Sequence, residues 1–320
     1  MWAFSYTQFI YKCVIINLIM DKVIKLKPII KSALWGGNYF QSYKDLDLDI
    51  ISELWELSVR GIDSSIIDSG INKGKRLDEV ISKEDIGPIS NRYPFFPLLI
   101  KLIDAKDNLS VQVHPNDEYA LSKLNSFGKN EMWHIISSDP GSGLYVGLKE
   151  DSNREEIEER LNNNTILEAL NFFEVKPGDT FMINAGTIHA IGKGVRLIEI
   201  QQNSDITYRL YDYLRKDKDG NYRELHIKEA LDVIDYHKYL KEEHHSDILE
   251  SNQYFHVERK NIDKELLIEA NENSFISFTF IDGNGYVDDI EYKVFDTFFL
   301  PYKKKCLVKG TGTVIISTVK

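Results

Sequence analysis

Cysteine is nearly missing, with only Cys13 and Cys306 in 320 residues. The two lie far apart and form no Cys-x-x-Cys pair, which argues against a disulfide framework and against a thiolate metal site. The cytoplasm is the expected compartment. Positive charge is also short: Lys and Arg number 39 against 50 Asp and Glu, a formal net charge of −11. That balance argues against a general role on nucleic-acid phosphates, which are bound through many cations. It leaves room for a small anionic substrate, because one arginine on a pocket wall can dominate the local field. No later stretch is apolar and long enough for a membrane span. The opening MWAFSYTQFIYKCVIINLIM resembles a signal sequence only superficially, since Lys12 interrupts it and no small-residue cleavage site follows. Residues 1–19 read as an extension or disordered segment, the alternative being translation from Met20, where MDKVIKLKPIIKSALWGG begins like a first strand. Neither a Walker-type phosphate loop nor a G-x-G-x-x-G turn is found, which disfavours nucleotide-sugar chemistry.

What is there suffices for a sizeable core: 42% apolar, 12% aromatic and 28% charged residues describe a globular chain. From Lys22 to Tyr119, short apolar runs broken by Gly, Asn, Asp and Pro read as strands of a sandwich or barrel. Asn153–Asn162 has early acidic residues and helically spaced apolar ones, the pattern of a surface helix. Lys176-Pro177-Gly178-Asp179 signals a turn, and the residues after it form a second β-rich block. Glu224–Lys241 reads as helical, EEHHSD as a linker, and about Gln253 to Lys320 as a small β-domain. The expected division is therefore an extension over 1–19, a main domain over 20–245 with helical insertions, and a C-terminal β-domain over 246–320.

In SVQVHPNDEYA, Gln112 and His114 stand two residues apart, so a strand sends both to one face and Val111 and Val113 to the other. An amide oxygen and an imidazole together suit a borderline metal such as zinc. The pair alone is weak, because a single strand histidine is more often structural. GKNEMW adds Glu131 and NAGTIHAI adds His189, giving two histidines, a carboxylate and a neutral oxygen for a four-coordinate site. His134 lies three residues after Glu131 and points to the opposite face. His244 and His245 sit in the charged linker, and His226, His237 and His256 have no ligand pattern around them. Within SDITYRLYDY, alternation puts Thr207, Arg209, Tyr211 and Tyr213 on one face, which leaves Arg209 either a lasting cation inside the barrel or, were the segment to stand alone, an exposed strand arginine.

These stretches bring a resemblance into view. ALWGGNYF, ELWELSV, FPLLIKLIDAKDNLSVQVHPNDEYA, GKNEMW and PGDTFMINAGTIHAIGKGVRLIEIQQNSDITYRLYDY, in that order, are similar to the type I mannose-6-phosphate isomerases of the shorter bacterial form. The resemblance spans most of the chain. It implies a mainly β fold, a cupin-type double-stranded β-helix (jelly-roll) barrel with a few surface helices and a small C-terminal β-domain. It implies one zinc ion on Gln112, His114, Glu131 and His189, with Arg209 catalytic. It further implies substrate contacts from Ser110, Lys129, Asp205 and Arg215, Lys129 and Arg215 being suited to a phosphate. The partner implied is a sugar phosphate, neither nucleic acid nor membrane, and the reaction an aldose–ketose isomerisation through a cis-enediolate. Two departures stand out: His134 replaces a commonly aromatic residue, and SVRGIDSSII replaces a histidine-containing continuation. A sugar-phosphate-binding protein without turnover, or a metal-dependent oxygenase on the same barrel, are the alternatives.

Overall fold

Period-two patterning decides the architecture. The computed structural model describes residues 22–44, 46–217, 219–241 and 246–320, and antiparallel strands dominate it. The extension expected over 1–19, and His244 and His245 of the expected linker, lie outside the described residues. Among the described residues no helix is long and apolar enough to cross a membrane.

The chain divides into two compact units that interleave in sequence. One holds Ile30–Trp55 and Leu98–Ser246; the other holds the chain up to Ile29, Glu56–Pro97 and Asp247–Lys320. A division near residue 246 therefore marks one of several crossings between them.

The first unit is a cupin-type jelly roll. A six-stranded sheet runs in the order Thr180–Ile183, Glu131–Ser138, Val195–Gln202, Leu98–Ala105, Glu53–Leu57, Ile29–Lys31. A five-stranded sheet runs in the order Tyr208–Tyr211, Val111–Val113, His189–Ile191, Gly143–Leu148, Leu170–Glu174. Ile103, Trp133, Phe181 and Leu197 of the former meet Leu144, Val146 and Ile191 of the latter in one buried cluster. The other face of the five-stranded sheet is covered by helices. Val111, Val113, Ala190 and Leu210 pack with Ile157 and Leu161 of helix Arg154–Asn162 and with Ala230 and Leu231 of helix Ile227–Val233. With its valines committed to the helices, Gln112 is left for the barrel face.

Helix Arg154–Asn162 forms where the sequence pattern puts it. The Asn153 side chain accepts the Glu156 N–H, and Glu155 and Glu156 sit at the positive end of the helix dipole. The expected helix over Glu224–Lys241 is much shorter, Ile227–Val233. Beyond it the backbone bonds elsewhere, Asp235 N–H to Gly186 and Lys238 N–H to the Asp151 carboxylate, so tertiary partners override helix propensity. The expected alternation after Arg209 also fails. A bulge shifts the register between Arg209 and Tyr211, Tyr213 adopts φ 55°, and both tyrosines pack on the helix-covered side.

The second unit is built on one large antiparallel sheet. Strands Phe255–Glu269 and Lys305–Val319 pair along their whole length, and Ile276–Val287 flanks the latter. Strand Ile24–Lys27 joins this sheet against Thr297–Leu300. Phe278, Phe280, Tyr292 and Phe298 fill its core, with Phe280 and Tyr292 stacked 3.6 Å apart. A Cβ at Gly283 would stand 1.8 Å from the Thr311 carbonyl oxygen, so only glycine fits where these strands touch.

Candidate active site

Gln112 is the centre of a transverse row. Its direct partners across the five-stranded sheet are His189 on one side and Arg209 on the other. Directly opposed residues of neighbouring strands put their side chains on one face. His189, Gln112 and Arg209 therefore share the face that the helices leave uncovered, and His114 follows two residues after Gln112. Glu131 comes from the other sheet, as the first residue of its strand, registered between Ile183 and Gln201.

His114, Glu131 and His189 are all buried, and their ligand atoms lie within 4.8 Å of one another. His114 Nε2 is 3.6 Å from Glu131 Oε2, His189 Nε2 is 3.4 Å from Glu131 Oε1, and the Gln112 amide nitrogen Nε2 is 3.3 Å from His189 Nε2, so its oxygen reaches a metal only with the amide turned over. Ligands about 2.1 Å from a tetrahedral metal stand about 3.4 Å apart, so these edges suit one ion. The tautomers suit it as well. His114 Nδ1 faces the Ile206 carbonyl at 2.8 Å and His189 Nδ1 faces the Thr187 carbonyl at 2.8 Å. A carbonyl only accepts, so each Nδ1 carries the proton and each Nε2 presents a lone pair to the centre. Burial, aided by the Lys129 charge, pushes His189 down to about 3 and His114 well below the ordinary range, which keeps both rings neutral. Glu131 Oε1 is buried with no hydrogen-bond partner among the described residues.

Lys129 points into this cluster. Its Nζ is 3.1 Å from His114 Nε2 and in contact with Glu131 Oε2, and burial brings its pKa to about 7. The same lone pairs and carboxylate that suit a metal cation thus attract an ammonium.

Sequence reasoning missed a second layer of buried charge. Lys101 Nζ lies 2.9 Å from Glu199 Oε1, and Lys129 Nζ lies 3.9 Å from the same oxygen. Glu199 Oε2 accepts the Trp133 indole N–H at 2.9 Å. Burial alone would raise the Glu199 carboxyl, but Lys101, Lys129 and Trp133 hold it at about 2. Lys101 and Glu199 are direct cross-strand partners. The signal was legible: LLIKLI and LIEI each carry one charge, of opposite sign, inside an apolar run.

The remaining expected residues are less uniform. Ser110 is buried and Asp205 exposed, the latter near enough for its charge to favour protonated Lys101 and Lys129. Arg209 Nη1 donates to the Glu224 carbonyl at 2.6 Å, while its buried Nε has no partner among the described residues. Arg215 donates to the Asp212 carboxylate at 2.5 Å and to the Asn108 carbonyl at 2.6 Å. His134 is buried on the opposite face, with Nδ1 2.9 Å from Thr180 Oγ1.

Comparison with known proteins gives the relatives of this chain. Residues 23–132 match the family model described as phosphomannose isomerase type I, catalytic domain. The chain is 34% identical over 294 residues to mannose-6-phosphate isomerase ManA of Bacillus subtilis, covering 86% of this chain and 92% of that protein. It is 38% identical over 219 residues to the mannose-6-phosphate isomerase of Streptococcus mutans, covering 67% of this chain and 68% of that one. The crystal structure of the mannose 6-phosphate isomerase from Bacillus subtilis superposes with a TM-score of 0.82 at 32% identity, over 92% of this chain and 99% of that one.

Proposed function

We propose, from the premise that the chain belongs to the type I phosphomannose isomerase family, that it interconverts mannose 6-phosphate and fructose 6-phosphate. The ion is zinc, held by Gln112, His114, Glu131 and His189. The observation that carries this reading is the set of two Nε2 lone pairs and one carboxylate, all within 4.8 Å of one another, with Glu131 Oε1 free of hydrogen bonds among the described residues. Neutral nitrogen and oxygen donors suit zinc, and with Glu131 as the only anion among them the ion keeps net positive charge.

Isomerisation removes a proton from C1 or C2, spreads charge over a cis-enediolate and returns a proton to the other carbon. Zinc supplies Lewis-acid polarisation at that point. Arg209, on the face it shares with Gln112, adds a fixed cation whose unpartnered Nε is available to a developing oxyanion. Lys129 donates beside the reacting oxygens; its buried seat at His114 and Glu131 suits a sugar oxygen better than the phosphate role its position suggested. Ser110 and Asp205 contact sugar hydroxyls, and Arg215 serves the phosphate, whose binding energy is remote from the chemistry. The two widely spaced cysteines are in keeping with a cytoplasmic setting.

A coupled assay for fructose 6-phosphate, paired with metal analysis of the purified protein, tests this reading. Turnover with about one zinc per chain is expected. A zinc-loaded protein that binds the substrate without converting it would sink the enzyme assignment, and tightly bound iron with oxygen uptake would redirect it to an oxygenase.

A further inference from the structure

Beyond the Tyr208–Tyr211 strand the chain doubles back on itself. Tyr213 and Leu214 both take positive φ, 55° and 53°, and a bridge between Lys216 and Tyr222 returns Arg223 to the strand end. There the Asp212 carboxylate, whose side chain is 6% exposed, accepts from two guanidinium groups. Arg215 Nη2 reaches Oδ1 at 2.5 Å, Arg223 Nε reaches Oδ2 at 2.7 Å, and Arg223 Nη2 also contacts Oδ1. Arg209 stands close by, its donors only partly used.

Arg215 and Arg223 thus share one buried carboxylate, and Arg209 is near enough to feel both, while the Glu224 charge acts on Arg209. Asp107 touches only the edge of this group, 3.6 Å from Arg215, and its side chain is half-exposed. The cations feel one another: burial first, then Arg223 and Arg215, lower the Arg209 pKa despite the Asp212 charge. Asp212 itself is held below its ordinary value because the bonds from Arg223 and Arg215 outweigh its burial. Such crowding is unfavourable unless an anion shares the space. Donors are in place to meet one. Among the described residues no protein acceptor meets Arg223 Nη1, beside the Arg215 guanidinium on the same carboxylate.

We propose that Arg223 is a second phosphate-binding residue, completing with Arg215 a seat for the substrate's phosphate dianion, and that Asp212 is the positioning residue that holds both. Forked guanidinium groups match the oxygens of a dianion two at a time. The placement fits the sugar. Arg215 and Arg223 meet at Asp212, beyond Arg209, which itself lies two strands from His189, about 10 Å along the sheet; the phosphate is carried at the opposite end of the hexose from C1 and C2. This inference rests on the isomerase reading for the identity of the anion, and it selects phosphorylated over free hexose.

The test uses the metal-loaded full chain and compares wild type with Arg223→Gln and Arg223→Lys. Arg223→Gln is expected to raise KM for mannose 6-phosphate by about 10- to 100-fold with a much smaller fall in kcat. It should also abolish the rise in melting temperature that inorganic phosphate gives the wild type, with zinc content unaltered. Arg223→Lys keeps the charge without the fork and should fall between the two. If Arg223→Gln fails to fold, Arg223→Lys tests the seat alone, and an intermediate KM with a reduced phosphate-induced shift supports it. A wild-type KM and a wild-type response to phosphate in either variant that folds would overturn the seat. A wild type that shows no isomerisation, yet is stabilised by phosphate through Arg223, would instead sink the isomerase reading and leave the seat standing.

Discussion

The cores of the two units are filled by opposite means. In the large C-terminal sheet, Phe278, Phe280, Tyr292 and Phe298 are buried against aliphatic neighbours, and stability comes from apolar area and ring contact. In the jelly roll, one side of the interior is equally apolar, but the other buries His114, Lys129, Glu131, His189, Lys101 and Glu199. Buried charges oppose folding unless each is paired. Here they are, in a chain from Lys101 through Glu199 and Lys129 to Glu131. The difference teaches where this molecule keeps its chemistry: in an interior region whose side chains are worse for stability than the hydrocarbons that could replace them.

Substitutions should separate the two regions. The largest effect is expected at the metal ligands. His189→Ala should lower kcat/KM by on the order of a thousandfold or more and lower bound zinc in parallel, because few ligands share the ion. A variant with full metal content would break the assignment. Phe280→Ala, in the other core, should cost about 3–5 kcal/mol in urea unfolding while kcat of the folded protein stays near wild type. A collapse of kcat at full folding would erase the contrast between the regions.

Arg209→Ala should reduce kcat by about 100- to 1,000-fold with zinc retained, as loss of a preorganised donor to a developing oxyanion does. Equal loss of metal and turnover would show that Arg209 supports the ligands instead. The smallest effect concerns pH. Glu199 is held at about 2 against an ordinary 4.5, and a depressed carboxyl contributes stability above its unfolded pKa and loses it as pH falls. Melting temperature should therefore drop from about pH 4.5 towards 2, and Glu199→Gln, from a lower baseline, should drop less over that window. Parallel curves for the two proteins would mean that the buried pair adds nothing to acid sensitivity.

Much of this site was legible in the sequence. The faces of Gln112 and His114 follow from two valines that need burial on the other side, and the helix after Asn153 follows from a cap, an acidic first turn and two apolar residues one turn apart. Other features were not legible. The bulge after Arg209 removes Tyr211 and Tyr213 from its face, and the residues after Ile234 give up a helix for bonds to Gly186 and Asp151. Lys101 and Glu199 were visible as odd charges, but nothing local made them partners.

By itself the sequence determined the strand periodicity, the donor types and which side of Val111–Val113 a polar residue must take, because alternation is a property of neighbouring residues. Only the tertiary structure decided that His189 and Arg209 flank Gln112 in one row, that Glu131 faces them from the other sheet, and that Arg223 returns to Asp212. Those placements depend on strand register and chain reversal, which are set by burying distant segments together.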